Sequence, residues 1–236
     1  MELLPNGLIA AAKMDSDARA AIQAPSMHTM AQTERKTLVA LYNATGGPNW
    51  KQRGSWNTGA DLSQWHGITT DDQGRVVEIN LISNNLQGSI PSELGNLAVL
   101  QYLHLEGNYL GGPIPKELGA LSELKELRLK YNQLTGRIPE ALGTLSKLEV
   151  LSLAVNQLAG PIPRELGTLA RLRRLYLNQN HLTGHTPPQL GHLGSLEVLD
   201  LGYNNFIGPI PKELGVLSEL EKLYLHGNKL RGPREM

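Results

Sequence analysis

His104, Ser152 and Asp200 supply the three side-chain types of a hydrolytic triad: a base, a nucleophilic hydroxyl and an orienting carboxylate. They stand at even intervals, 48 residues apart. That interval is twice a 24-residue period that runs through the chain. If each period supplies one strand, neighbouring members lie two strands apart, about 10 Å at ordinary strand spacing. A triad needs contacts of roughly 3 Å, so the geometry rules it out. His181, His185 and His192 are of a metal-ligating type and crowd one period. They fall at positions 10, 14 and 21 of it, on different faces of a coil, so no metal is expected there. The glycine-rich stretches recur with the period and are turns, not a phosphate-binding loop. The chain has no cysteine, which excludes disulfides, thiolate ligands and a cysteine nucleophile. No catalytic activity and no cofactor are expected.

A second set of side chains has the chemistry of recognition. Positions 3, 5, 7 and 8 of the period are variable and should face solvent from one side of the strands. Position 3 carries Tyr102, Glu126, Arg174 and Lys222, and position 5 carries His104, Arg128, Tyr176, Asp200 and Tyr224. Position 7 adds Glu106, Lys130 and Asn178, and position 8 adds Tyr131 and Tyr203. Five of the seven tyrosines fall in these columns. Tyrosine and arginine offer contact area with a polar end at low entropy cost, as binding hot spots require. Charges of both signs alternate there. The formal net charge is zero and the pI about 7.1, which gives no electrostatic case for nucleic acid or an anionic membrane. No apolar run approaches the length of a membrane-spanning helix.

The elements that position these columns are set by the repeat. From Leu100 the chain reads LQYLHLEGNYLGGPIPKELGALSE, and the phrase restarts at Leu124, Leu148, Leu172, Leu196 and Leu220, with a diverged copy at Val76. Self-similarity at a period of this size means a solenoid. The LxL step alternates like a strand with one buried face, so seven strands should stack in parallel. The asparagines from Asn84 to Asn228 stand where the chain leaves each strand, and a column of amides can satisfy backbone groups buried in the turn. Glycine at position 13 allows a backbone angle or approach that a Cβ would block. The proline at position 16 starts the return, and the xxLGxL run forms a short helical turn on the outer side. Thr186 stands where the other copies have Ile, which should leave that spot of core less filled.

The pattern LxxLxLxxNxLxGxIPxxLGxLxx resembles the plant-specific class of leucine-rich repeat over about two thirds of the chain. The resemblance implies an α/β fold: a right-handed curved solenoid with a concave parallel sheet and short helical turns on the convex side. It also implies non-catalytic recognition of a protein or peptide by the concave face, in the sensor part of a signalling or defence protein. The alternative it implies is a soluble inhibitor of a partner enzyme. Extracellular plant relatives usually flank their repeats with paired cysteines, so their absence tilts the reading toward an intracellular chain.

Three regions are expected. Residues 1–30 read as a disordered leader, with a short helix near Asp17–Gln23 and too broken an apolar run for a secretory signal. Residues 31–75 form a cap, with a helix starting at Thr33 and all three tryptophans, Trp50, Trp56 and Trp65. Large rings can cover the open end of a leucine core without disulfides, and the string ALYNATGGPNW resembles the cap that precedes such repeats. Residues 76–236 form the solenoid, six full repeats and a seventh that stops early. The seventh copy has no return segment, so the chain is expected to be a fragment or to self-associate through an uncapped end.

Overall fold

The structure, a computed structural model, describes residues 27–232. Of the leader expected over residues 1–30, residues 1–26 with the helix near Asp17–Gln23 lie outside the described residues, and the remainder is helical. One helix, α1 (Met27–Ala44), opens the fold. It starts before the expected boundary at residue 31, and Thr33 lies inside it rather than capping it. The reason is local: no proline or glycine interrupts the sequence between Pro25 and Gly46.

Strands then follow in chain order. They are β1 (Ile68–Thr70), β2 (Val76–Asn80), β3 (Gln87–Ser89), β4 (Tyr102–His104), β5 (Tyr109–Pro113), β6 (Glu126–Arg128), β7 (Gln133–Gly136) and β8 (Val150–Ser152). The rest are β9 (Gln157–Gly160), β10 (Arg174–Tyr176), β11 (His181–Gly184), β12 (Val198–Asp200), β13 (Asn205–Pro209), β14 (Lys222–Tyr224) and β15 (Lys229–Arg231). The even-numbered strands make one sheet in the order β2-β4-β6-β8-β10-β12-β14, with β1 added antiparallel to β2. Its seven repeat strands are parallel and in register, so each repeat position forms a straight column. The odd-numbered strands from β3 to β15 form a second parallel sheet. The repeat pattern predicts only a turn at positions 10–13, and the structure makes them strands of this second sheet. A short 3-10 turn closes each full coil, as at Glu140–Thr144 and Arg164–Thr168.

The leucines of all inner coils merge with Trp50, Trp56 and Trp65 into one buried core. The asparagine column does the work expected of it. Asn156 donates from Nδ2 to the carbonyls of Leu129 (3.0 Å) and Leu153 (3.1 Å), and its Oδ1 accepts from the Leu134 N–H (2.9 Å). Each asparagine therefore ties its own coil to the one before. Position 13 has positive φ in all six full coils, for example 78° at Gly136. The glycine at position 20 has a different reason: a Cβ on Gly143 would lie 2.5 Å from the Glu165 carbonyl oxygen of the next coil. Coils stack too closely there for any side chain. At Gly215 the same Cβ would meet nothing, and Leu223 of the seventh coil is 42% exposed where Leu199 of the sixth is fully buried.

At the other end, the tryptophan rings pack on one another with centroids 4.8 and 4.9 Å apart, joined by Tyr42. Their indole N–H groups donate to the carbonyls of Thr45, His66 and Ala60. Arg35 lies over Trp65 and donates to the carbonyls of Thr58 and Ala60. These rings are buried and leave no open cage for a ligand. Glu34, buried on α1, accepts from the Val76 N–H (3.0 Å) and clamps the helix to the first repeat. Burial raises its carboxyl above the ordinary value, and the Val76 hydrogen bond only partly opposes this. Thr186 is buried and its hydroxyl has no partner.

Candidate functional site

Parallel register fixes which variable side chains meet. Position 5 runs His104, Arg128, Ser152, Tyr176, Asp200 and Tyr224 across adjacent strands. His104, Ser152 and Asp200 are thus separated by Arg128 and Tyr176. The Ser152 hydroxyl has no hydrogen-bond partner at all, so these residues do not form a triad. His181, His185 and His192 lie on β11, just beyond it and at the end of a 3-10 turn. Among the described residues no cluster of histidines and carboxylates could hold a metal ion.

One stretch of the sheet is hollow. A cavity of about 240 Å³ is lined by Arg128, Lys130, Tyr131, Val150, Ser152, Ala154, Val155, Tyr176, Asn178 and Asp200. Its floor is the fourth coil, whose inward residues Val150, Ser152 and Ala154 are all small. Larger side chains of the third and fifth coils rise on either side. Arg128 and Lys130 stand at one end and Asp200 at the other. None of the floor residues is among the binding residues expected from the sequence, and Ser152 stands out there only as a triad type. Their signal was present as VxSxAV within one copy, but small side chains carry no binding signature of their own.

The basic wall is partly engaged. Glu126 Oε2 accepts from Arg128 Nε at 2.7 Å and lies 3.1 Å from His104 Nε2. Burial pushes the Glu126 carboxyl up, but the hydrogen bond and charge of Arg128, joined by His104, outweigh it and hold it below the usual value. Lys130 lies with its ammonium 5.6 Å from the centre of the Tyr131 ring, and Lys125 sits likewise over Tyr102. Arg174 approaches Glu197 at 3.9 Å.

Three expectations for this face are corrected. Glu106 is buried instead of solvent-facing, with Oε2 unpartnered. The inner side of a curved sheet crowds its side chains, and cross-strand neighbours lie only about 5 Å apart. For the same reason Val150, Ser152, Ala154 and Val198 are shielded by larger neighbours although they sit in the solvent-side columns. Position 8 is not a strand position. Ser83, Tyr131, Val155, Gln179 and Tyr203 there have φ between 51° and 56°, and Gly107 and Gly227 are left-handed as well. Tyr131 and Tyr203 therefore project from the turn at the sheet margin, each 57% exposed. Tyr102, His104, Glu126, Arg128, Lys130, Arg174, Tyr176, Asn178 and Asp200 are partly exposed, and Lys222 and Tyr224 of the last coil are exposed.

The coiled stack presents variable polar columns on its inner parallel sheet. The leucine-rich repeat region model matches residues 79–184, and a second leucine-rich repeat model matches residues 170–230. A probable leucine-rich repeat receptor-like protein kinase of Arabidopsis thaliana is 39% identical over 72 residues, which is 30% of this chain and 7% of that protein. The solved structure of a plant peptide hormone receptor, RGFR1 in complex with RGF2, is 42% identical with a TM-score of 0.62. That match covers 62% of this chain and 24% of the receptor chain. A pollen receptor kinase 3 structure is 31% identical with a TM-score of 0.73, covering 84% of this chain and 96% of that one. This chain belongs to the plant-type leucine-rich repeat family. It spans a small part of the kinase and about a quarter of the hormone receptor, and nearly all of the third.

Proposed function

We propose that this chain is a non-catalytic recognition module that binds an extended peptide, or an extended segment of a protein, across its concave face. The peptide side chains enter the hollow over the fourth coil, between Arg128 and Lys130 on one side and Tyr176, Asn178 and Asp200 on the other. The observation that carries this reading is the hollow itself. It lies on the variable columns, is floored by small residues and is walled by tyrosine and charged side chains suited to hot-spot contacts. Relatedness to receptors, one of them a peptide hormone receptor, supports a sensor role in signalling. The inhibitor alternative draws no support from these relatives.

The test is selection of ligands from a displayed peptide library on the full chain. Arg128→Ala and Tyr176→Ala should each weaken the selected peptides by about 2 kcal/mol, while Lys116→Ala on the convex side leaves them unchanged. Equal loss for all three variants, or no loss for any, would overturn the assignment. The seventh coil also exposes Leu223, at a position where the inner coils bury leucine, together with Tyr224, and Val216 of the sixth coil is exposed as well. This supports self-association there, and sedimentation over a range of concentrations tests it: a monomer throughout rejects it.

A further inference from the structure

Asp200 is the carboxylate that lines the hollow, and among the described residues it has no paired cation. Glu126 is paired with Arg128 and His104. Glu78 accepts a hydrogen bond from Thr69 (3.0 Å). Glu106 is buried. Asp200 Oδ1 accepts only from the Gly202 N–H at 3.0 Å, and among the described residues no cation pairs with it. The basic residues around it are Arg174, drawn toward Glu197, Lys222, diagonal to Asp200 on the last strand, and His226, whose ring lies beside it without an ion pair. The carboxylate opens into the hollow, at the end opposite Arg128.

Its surroundings are aromatic. Tyr176 and Tyr224 are its cross-strand partners on either side, about 4.8 Å away in the sheet. Gly202, two residues on, has no side chain. The His226 ring fills that space, with Cε1 3.1 Å from where a Cβ would stand. His226 in turn meets Tyr203 edge-on at 4.7 Å and Tyr224 edge-on at 6.2 Å, which fixes both rings at the rim. A carboxylate with a tyrosine on each neighbouring strand attracts an organic cation through its charge and, where the cation meets a ring face, through the ring quadrupole. A guanidinium suits it best, being planar, weakly hydrated and able to stack while donating to the carboxylate. A metal ion does not suit it, since one carboxylate is the only anionic ligand.

We propose that Asp200, with Tyr176 and Tyr224, forms a subsite for a cationic side chain of the bound peptide, arginine in preference to lysine. The proposal rests on peptide recognition at the concave face and names one residue type that the face selects.

The test titrates the isotope-labelled full chain, followed by amide NMR, with acetyl-arginine amide, acetyl-lysine amide, acetyl-glutamine amide and acetyl-glutamate amide. The arginine probe should give saturable shifts at Asp200, Gly202, Tyr203, Tyr224 and His226. The lysine probe should bind more weakly than arginine, and the glutamine probe about tenfold more weakly, the size of one such contact. Asp200→Asn keeps an oxygen for the Gly202 N–H and should fold normally, yet abolish the preference. Tyr224→Ala should weaken the arginine probe, and Lys222→Ala should leave it unchanged or tighten it. Indistinguishable shifts from the arginine, glutamine and glutamate probes, or an arginine response that survives Asp200→Asn, would overturn the subsite. The two readings separate cleanly. Selected peptides that need Arg128 and Tyr176 but show no basic residue and no Asp200 dependence sink the subsite and leave peptide recognition standing. An arginine response without any peptide binding leaves the subsite standing and sinks the peptide reading.

Discussion

The fixed positions of the repeat and the variable positions of its concave face solve opposite problems. In the skeleton nearly every polar group is matched within the stack, the asparagine column being the clearest case. On the concave face the matching is incomplete. Of the three buried side-chain atoms without a partner among the described residues, Glu106 Oε2 and Ser152 Oγ lie there, and no cation pairs with the Asp200 carboxylate. The third, Thr186 Oγ1, marks the one copy that departs from Ile at its core position. Buried groups left unpaired cost stability, so their concentration on one face is what a surface kept open for another molecule would show.

Substitutions that cross between the two regions test this division. The largest effect should come from Leu151→Ala, about 2–5 kcal/mol lost in urea unfolding, because a fully buried side chain leaves a cavity. Its neighbour Ser152→Ala should be neutral or slightly stabilising, since the hydroxyl it removes bonds to nothing. Similar losses at both would erase the distinction.

Next is Asn156→Ala, which takes the acceptor from the Leu134 N–H and one of two asparagine donors from each of the Leu129 and Leu153 carbonyls, and should cost roughly 1–3 kcal/mol. A change within about 0.5 kcal/mol, the range of an ordinary surface substitution, would deny the column its role. Gly143→Ala should cost about 1–3 kcal/mol from overpacking against the Glu165 carbonyl, while Gly215→Ala, facing open space, should cost nothing measurable. A tolerated alanine at Gly143 would mean the coils can spread. The smallest effect is a gain: Thr186→Ile should stabilise by about 1 kcal/mol, by removing an unpaired buried hydroxyl and filling the spot as Ile162 does one coil earlier. A loss of stability there would show that the pocket has closed around threonine.

Much of the skeleton could be read from the sequence because a period exposes its own rules. Leucines, asparagines and the position-13 glycines recur where packing, hydrogen bonding and a left-handed backbone demand them. What escaped had no recurring residue to announce it. The left-handed turn at position 8 is occupied by Tyr131, Val155 and Gln179 as well as by Gly107 and Gly227, so only two copies hinted at it. The glycine at position 20 did recur, but its cause is contact with the next coil, which no single copy contains. On the concave face the columns were legible and the relief was not. The hollow depends on the contrast between the small residues of the fourth coil and the large ones beside it. The pairing of Glu126 with both His104 and Arg128 depends on side-chain reach across strands, which register alone does not supply.

The most direct test of the division is a hydrogen-exchange footprint of the full chain with and without a library-selected peptide bound. Protection should concentrate in the segments Arg128–Tyr131, Val150–Val155, Tyr176–Asn178 and Asp200–Tyr203, with the outer strands and the 3-10 turns unchanged. Protection confined to the second sheet or the convex turns, with those four segments unaffected, would contradict the concave face as the site of recognition.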